Sequence, residues 1–273
     1  MMTIPKLSVI ISTYNKPKDL SLVLHGYLEQ TEKDFEIIIA DDGSTEETQQ
    51  MLAKFSEKHN IKIYHVWHKD QGFQKTKILN KAILQSNSNY LLFTDGDCLP
   101  RKDLVKKHIE LRRDKHFLSG SYYKLNEQVS ETITIPIIKE QSCFNAKWLK
   151  SKGQDVTFKI NKLTSFGFKE WFLNTFTTTK ATWDGCNVSG WKKDILAVNG
   201  FDERMQYGGE DRELGERLVN YGVQPIQARY SLVCVHLHHD RPYKNDEAFK
   251  ANLLIRSQTK KQRIIKTKYG INS

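Results

Sequence analysis

Four short apolar runs at residues 7–11, 35–40, 61–66 and 90–93 alternate with stretches at 20–28, 45–55 and 76–84 whose apolar residues recur every three or four positions. That alternation constrains the chain more than any other feature, because strands followed by amphipathic helices build βα units and a mostly parallel sheet. In an open α/β sheet the ligand lies beyond the carboxyl ends of the strands. The residues of interest therefore follow the first, second and fourth runs: Ser12-Thr13-Tyr14-Asn15-Lys16, Asp41-Asp42-Gly43-Ser44 and Asp95-Gly96-Asp97. Singly, each is turn chemistry, with Ser44 expected to cap the helix that follows. Together they set carboxylates at the ends of two strands of one sheet, and two carboxylates one residue apart offer oxygen ligands to a hard divalent cation. Lys75 and Lys77, opening the helix after the third run, bring positive charge to where a diphosphate would lie.

The remainder is less regular. Residues 125–180 mix Thr/Ile alternation, lysine-rich pieces and the aromatics Phe166, Phe168, Trp171, Phe172 and Phe176. They read either as an insertion or lid near the site or as an irregular packed segment. A clear pattern resumes at 184–189, with helices expected at 194–198 and 211–220, the latter stopped by Gly222, and strands near 226–230 and 232–235. With 273 residues the chain can bury one large core, and no apolar run approaches the ~20 residues of a membrane span. Residues 1–6 lack the charged start and long apolar stretch of a signal peptide. Cys98, Cys143, Cys186 and Cys234 are widely spaced with no Cys-x-x-Cys pair, so free thiols in a reducing cytoplasm are expected. Of the net charge of +10, residues 241–273 supply +7, from nine basic residues against Asp246 and Glu247.

Five separated segments carry a resemblance: 7–16 (LSVIISTYNK), 35–45 (FEIIIADDGST), 68–82 (HKDQGFQKTKILNKA), 90–100 (YLLFTDGDCLP), and 185–218 with its Gly208-Gly209-Glu210-Asp211 core. In this order the chain resembles a family 2 glycosyltransferase of GT-A fold. Within that family it is similar to the transferase modules of bacterial chondroitin polymerases and their stand-alone bacterial relatives. The likeness spans most of residues 6–240 and does not extend to the basic tail or clearly to 125–180.

The resemblance implies an α/β fold with a mostly parallel central sheet flanked by helices. Residues 1–240 would form the transferase domain, 1–120 binding nucleotide and 181–240 binding acceptor and carrying catalysis, with 241–273 a basic helical tail. It implies a nucleotide pocket of Thr13, Tyr14, Asp42 and Asp41, in which an aromatic ring stacks on uracil and a carboxylate accepts from its edge. Asp95-Gly96-Asp97 matches the family's Asp-x-Asp motif, with Asp95 on ribose or metal and Asp97 on Mn2+ or Mg2+ bridging the diphosphate of a UDP-sugar. His236, ahead of its neighbours His239 and His238, is implied as a further ligand, and imidazole favours manganese. Asp211 is implied as the base of an inverting transfer, because a carboxylate opposite the leaving diphosphate must take the acceptor hydroxyl's proton. Glu210 would orient a sugar, and Trp183, Asp184, Asn187 and Gly209 would belong to the sugar pocket. Two departures stand out. Leu79-Asn80 occupies the place where many members carry Arg-Asn, so the diphosphate falls to Lys75 or Lys77. Met205-Gln206-Tyr207 stands where a tryptophan often precedes the double glycine.

Two other classes stay open on sequence. A sugar nucleotidyltransferase also sets an acidic metal site on an α/β sheet, but its Gly-rich phosphate loop has no counterpart in residues 12–19. A nucleic-acid-binding protein would exploit the +10 charge, against which the acidic strand ends argue. The expected setting is the cytoplasm, with a UDP-sugar donor, no nucleic acid, and a glycan or lipid-linked glycan acceptor of capsule or lipopolysaccharide type. In the tail, Leu253, Leu254, Ile255, Ile264 and Ile265 punctuate the basic residues. That pattern suits either contact with an anionic membrane face or a solvated helix.

Overall fold

The computed structural model describes residues 4–240 and 245–272; residues 1–3 of the amino-terminal reading and Arg241 and Lys244 of the basic count lie outside them. The chain begins as β1 (Leu7–Thr13), α1 (Pro17–Leu28), β2 (Phe35–Asp41), α2 (Glu46–His59), β3 (Ile63–Trp67), α3 (Lys75–Gln85) and β4 (Tyr90–Asp95). These are the expected βα units, with the strands running one or two residues further than their apolar cores. β5 (Cys98–Pro100), α4 (Leu104–Leu111), β6 (His116–Ser119) and β7 (Ser121–Lys124) follow. Residues 125–180 then hold only short helices: α5 (Glu127–Glu131), α6 (Ile135–Lys139), α7 (Ala146–Ser151), α8 (Asn161–Thr164) and α9 (Gly167–Thr175). The last part comprises β8 (Asn187–Trp191), α10 (Lys192–Ala197), α11 (Glu210–Asn220), β9 (Gln224–Gln227), β10 (Val233–His236) and α12 (Asp246–Lys261).

Seven strands form one sheet in the order β3-β2-β1-β4-β8-β6-β9, and β5-β10-β7 form a second. β3, β2, β1 and β4 are mutually parallel, whereas β8 runs antiparallel to both β4 and β6. β1 is buried throughout, as a central parallel strand covered on both faces must be. Val9 and Ile11 join Leu20, Val23 and Leu24 of α1 in one apolar layer, and Ile10 joins Ile78 and Ile83 of α3 in the other. Local chemistry sets the helix ends: Pro17 opens α1, where its missing N–H costs nothing, and Asn60 ends α2 in a left-handed turn at φ 49°.

Two sequence expectations are corrected, and the packing of residues 125–180 and of the tail is now visible. Ser44 does not cap α2: Thr45 holds the cap position, and the Ser44 hydroxyl accepts from the Asn15 N–H at 2.8 Å. β9 ends at Gln227 rather than continuing to 230, because the amides of Ser231 and Leu232 both donate to the Ala228 carbonyl and close a turn. Residues 125–180 divide in two. Val129, Ile138, Cys143, Leu149 and Leu163 belong to the main core, while α9 leaves Phe168, Trp171 and Phe172 exposed and buries Glu170 against Lys107 and Ser231. The basic tail, finally, is folded onto the domain: α12 lies along α11, and residues 267–272 hydrogen-bond to Asn199, Asp202 and Glu203.

One buried ion pair ties these late elements together. Arg217 is fully buried on α11 and reaches Glu213 one turn back at 2.8 Å, while its remaining N–H groups donate to the carbonyls of Val198 and Gly200. Glu213 in turn accepts from the Thr259 hydroxyl of α12 at 2.8 Å. Removing one partner leaves a charge stranded in low dielectric, so Arg217→Ala should cost about 3–5 kcal/mol of stability. Urea denaturation of the purified variant checks this, and a loss under ~1 kcal/mol would show the pair to be dispensable.

Candidate active site

Parallel pairing puts Thr13 of β1 opposite Asp41 of β2, and Ser12 opposite Asp95 of β4, so three strand ends open on one crevice. On its first side Tyr14 is 46% exposed and donates its hydroxyl to Asp70 Oδ2 at 2.8 Å. Asp42 is gripped at both oxygens, by His68 Nε2 at 2.8 Å and by the Gln74 N–H at 2.9 Å. Burial nevertheless leaves its carboxyl above the usual range, against the lowering effect of His68. Thr13 Oγ1 is buried with no hydrogen-bond partner, a polar atom left for a ligand. Asp41 has a different role from the one expected. It is fully buried, with one oxygen accepting from the Ser44 N–H and the other meeting His65 Nε2, and so holds the turn rather than facing the crevice. His65, His68 and Asp70 were missed in the sequence because only the parallel pairing of β3 with β2 brings their segment to these carboxylates.

Across the crevice, Asp95 Oδ1 accepts from Ser12 Oγ at 2.6 Å and from Lys75 Nζ at 2.7 Å. Burial alone would raise the Asp95 carboxyl, but the Lys75 charge outweighs it and holds the group below its ordinary value. Lys75 resists the same burial because Asp95 and Glu210 favour its charged form. Lys77 forms no ion pair among the described residues and is half-buried two positions along the same helix.

Asp97 meets His236 Nε2 at 3.7 Å and His239 Nε2 at 3.1 Å, with Lys16 Nζ at 3.9 Å. In both rings Nδ1 faces a main-chain carbonyl, of Leu237 at 2.6 Å and Asp240 at 2.8 Å, so a neutral imidazole must donate there and turn its Nε2 lone pair toward the carboxylate. The ligating atoms of Asp97, Cys98 and His236 all lie within 4.8 Å of one another, so this donor set fits a divalent metal, with His239 against the other Asp97 oxygen. His238 is not brought into this group; its main-chain N–H binds Ser130 instead.

The third wall is the start of α11. Gly208 and Gly209 adopt φ of +112° and +91°, conformations costly for any residue with a Cβ, and they aim Glu210 and Asp211 into the crevice. Asp211 accepts from the N–H groups of Gly185 at 3.0 Å and Arg212 at 2.7 Å. Burial, and then the charges of Glu210 and Asp184, push its carboxyl up to about 7. Glu210 is buried and steadies the loop by accepting from the Gly208 N–H at 2.9 Å.

Two expected pocket residues lie elsewhere. Trp183 is 1% exposed and wedged between Gly190 and Gly215, with its ring edge-on to Phe93 and Phe117, so it is core. Asn187, the first residue of β8, is buried and divides its amide among His108 and the carbonyls of Ser121 and Leu232. Asp184, half-buried beside Asp211, does remain at the crevice.

The α12 segment, invisible to the motif reading, braces this wall. Asn252 donates to the carbonyls of Gln206 and Gly208, the Phe249 ring covers Gly208, and Arg256 lies against Gly209 while pairing with Glu216. Asn80, of the Leu79-Asn80 pair that stands where many family members carry Arg-Asn, buries its amide against Phe201 and Glu203 and fastens α3 to the same region.

The family model for glycosyl transferase family 2 matches residues 8–169, and one described as the N-terminal domain of galactosyltransferase matches residues 174–240. The chain belongs to glycosyl transferase family 2. It is 29% identical over 260 residues to a chondroitin synthase of Escherichia coli, covering 92% of this chain but only 37% of that much longer protein. Among solved structures it is similar to a mannosyltransferase of Pyrobaculum calidifontis in complex with GDP-Man and Mn2+, at 16% identity, TM-score 0.59, and 94% and 70% of the two chains. It is also similar to residues 1–349 of S. aureus TarS in complex with UDP-GlcNAc, at 18% identity, TM-score 0.55, and 92% and 65% of the two chains. The fold is GT-A, and the family decides for a transferase over a nucleotidyltransferase.

Gly43 tests the first wall. It sits at φ +96°, and a Cβ there would lie 2.6 Å from the Asp70 Cα, a main-chain collision that must displace the partner of Tyr14. Gly43→Ala should cost roughly 1–3 kcal/mol of stability. Thermal melting of the purified variant measures this, and a wild-type melting temperature would show that the loop tolerates the added Cβ.

Proposed function

We propose that the chain is a metal-dependent, inverting transferase that moves a sugar from a UDP-sugar to a glycan acceptor. The reading is carried by Asp211, a carboxyl poised near neutrality on the wall across from the Asp95 and Asp97 pair. The acceptor hydroxyl oxygen attacks the anomeric carbon, the bond from that carbon to the diphosphate oxygen breaks, and the hydroxyl proton passes to the Asp211 carboxylate. Tyr14 offers its exposed ring to the base, and Thr13 Oγ1 and Asp42 offer polar atoms near it. Lys75 stays charged and, with Lys77, provides cations for the diphosphate. A divalent ion held by Asp97 and His236, with Cys98, His239 and Asp95 alongside, would supply Lewis-acid stabilisation of the leaving diphosphate.

UDP is supported by the UDP-GlcNAc in the TarS structure, manganese by the Mn2+ in the mannosyltransferase and by the imidazole donors, and a polysaccharide acceptor by the chondroitin synthase relative. A role in bacterial surface polysaccharide, such as capsule or lipopolysaccharide, is part of the same proposal. No helix among the described residues is long and apolar enough to cross a membrane. Peripheral contact with anionic lipid remains part of the proposal, through the exposed Leu253 and Leu254 of α12 beside Lys250.

With UDP release as the readout, Asp211→Asn should lower kcat by about 10²–10⁴-fold. Because the carboxyl must be deprotonated to accept a proton, kcat/KM should climb as pH rises through about 7, and the Asn variant should lose that limb. Near-normal turnover in the variant would refute the base. Chelation should abolish activity and added Mn2+ restore it, whereas full activity without divalent ions would remove Asp97, His236 and His239 from the chemistry.

A further inference from the structure

Beside Asp184 and the start of α11 opens a cavity of about 560 Å³, well within the size range of ligand pockets. Six cations line it: Lys124 at the end of β7, Lys159 and Lys162 from the 125–180 segment, Lys180, Arg212 next to Asp211, and Arg229 after β9. Among the described residues the wall carries two carboxylates, Asp155 and Asp184. None of the six forms an ion pair among the described residues. Lys162 donates only to the Tyr122 carbonyl at 2.8 Å. Arg229 spends one N–H on Thr179, while its Nε and the neighbouring Gln227 Oε1 are buried without hydrogen-bond partners. Burial, and then the charge of Arg229, push the Lys162 ammonium down to about 8, as expected where cations crowd together without counterions.

We propose that this cavity is the acceptor subsite and that the acceptor is an anionic glycan, one bearing carboxylates or phosphodiesters along its backbone. Six unpaired cations around one cavity create a field that concentrates anions and repels cationic ligands. Guanidinium and ammonium groups bind both carboxylate and phosphate oxygens through charge-assisted hydrogen bonds. The position follows from connectivity: Arg212 succeeds Asp211 on α11, and Asp184 lies both on this wall and beside the Asp211 carboxyl, so a chain seated here ends at the base. The inference rests on Asp211 facing the acceptor.

The test is equilibrium binding of three oligomers of similar length to the purified chain: an oligogalacturonate, an oligomeric glycerol phosphate and maltotetraose, each at low and at high salt. At least one anionic oligomer should bind about tenfold or more tighter than maltotetraose and weaken as salt rises. Which of them binds separates carboxylate from phosphate recognition. Lys162→Gln with Arg229→Gln should erase the preference while leaving UDP binding unchanged. Lys159→Gln with Lys180→Gln, on exposed side chains, should reduce it and keeps the test readable if the first pair fails to fold. If neither anionic oligomer outbinds maltotetraose, or the foldable variants keep the full preference, the proposal is overturned. UDP binding to the unmodified chain in the presence of Mn2+ is measured in parallel. Its absence would sink the donor reading and leave the acceptor preference to stand or fall separately.

Discussion

The crevice depends on the register of β1 between β2 and β4. Thr13 is level with Asp41 and Ser12 with Asp95, so three loops leave the sheet at one height and their side chains meet. A slip of one residue would turn Ile10 into the layer of Ile11 and carry Thr13 away from the opening, because side chains alternate faces along a strand. The full burial of β1 forbids such a slip, since both faces are filled. The packing that stabilises the sheet is therefore also what aligns the carboxylates.

Charge is distributed along the molecule in a way the net value hides. Near the strand ends, Lys75 and Lys16 each lie against a carboxylate, and the Lys75 charge holds the Asp95 carboxyl below its ordinary value. On α12, Arg256 and Lys260 are both spent on Glu216. Six further cations, from segments that the sequence keeps far apart, line the cavity beside Asp184.

What could be read from the sequence was what lies contiguous in it. The strand runs, the Asp-Gly-Asp turn and the Gly-Gly-Glu-Asp helix start each carry their geometry in a few adjacent residues, and all are found where expected. Reading failed where orientation decides. Trp183 and Asn187 adjoin Asp184 in sequence, yet Gly190 and Gly215 leave a slot that only the indole fills, and the buried His108 draws Asn187 inward. His239 was ranked behind His236 because a strand ends at His236; the chain then bends so that both rings stack and share Asp97. Long-range partners such as Glu216 for Arg256, or Arg229 for the cavity, have no local signal at all.

The brace laid by α12 on the Gly208–Gly209 loop imposes an order on biosynthesis. A chain emerging from the ribosome exposes Thr13, Asp42, Lys75 and Asp97 early, and these can gather on the sheet while translation continues. His236 and His239 come much later, and Phe249, Asn252 and Arg256 later still. The strand-end side of the crevice can thus gather while the His236–His239 group and the Gly208–Gly209 wall are still being made. Only a chain elongated past Arg256 has all three walls in place, so an unfinished polypeptide carries the strand-end residues without the brace that fixes Asp211 opposite them.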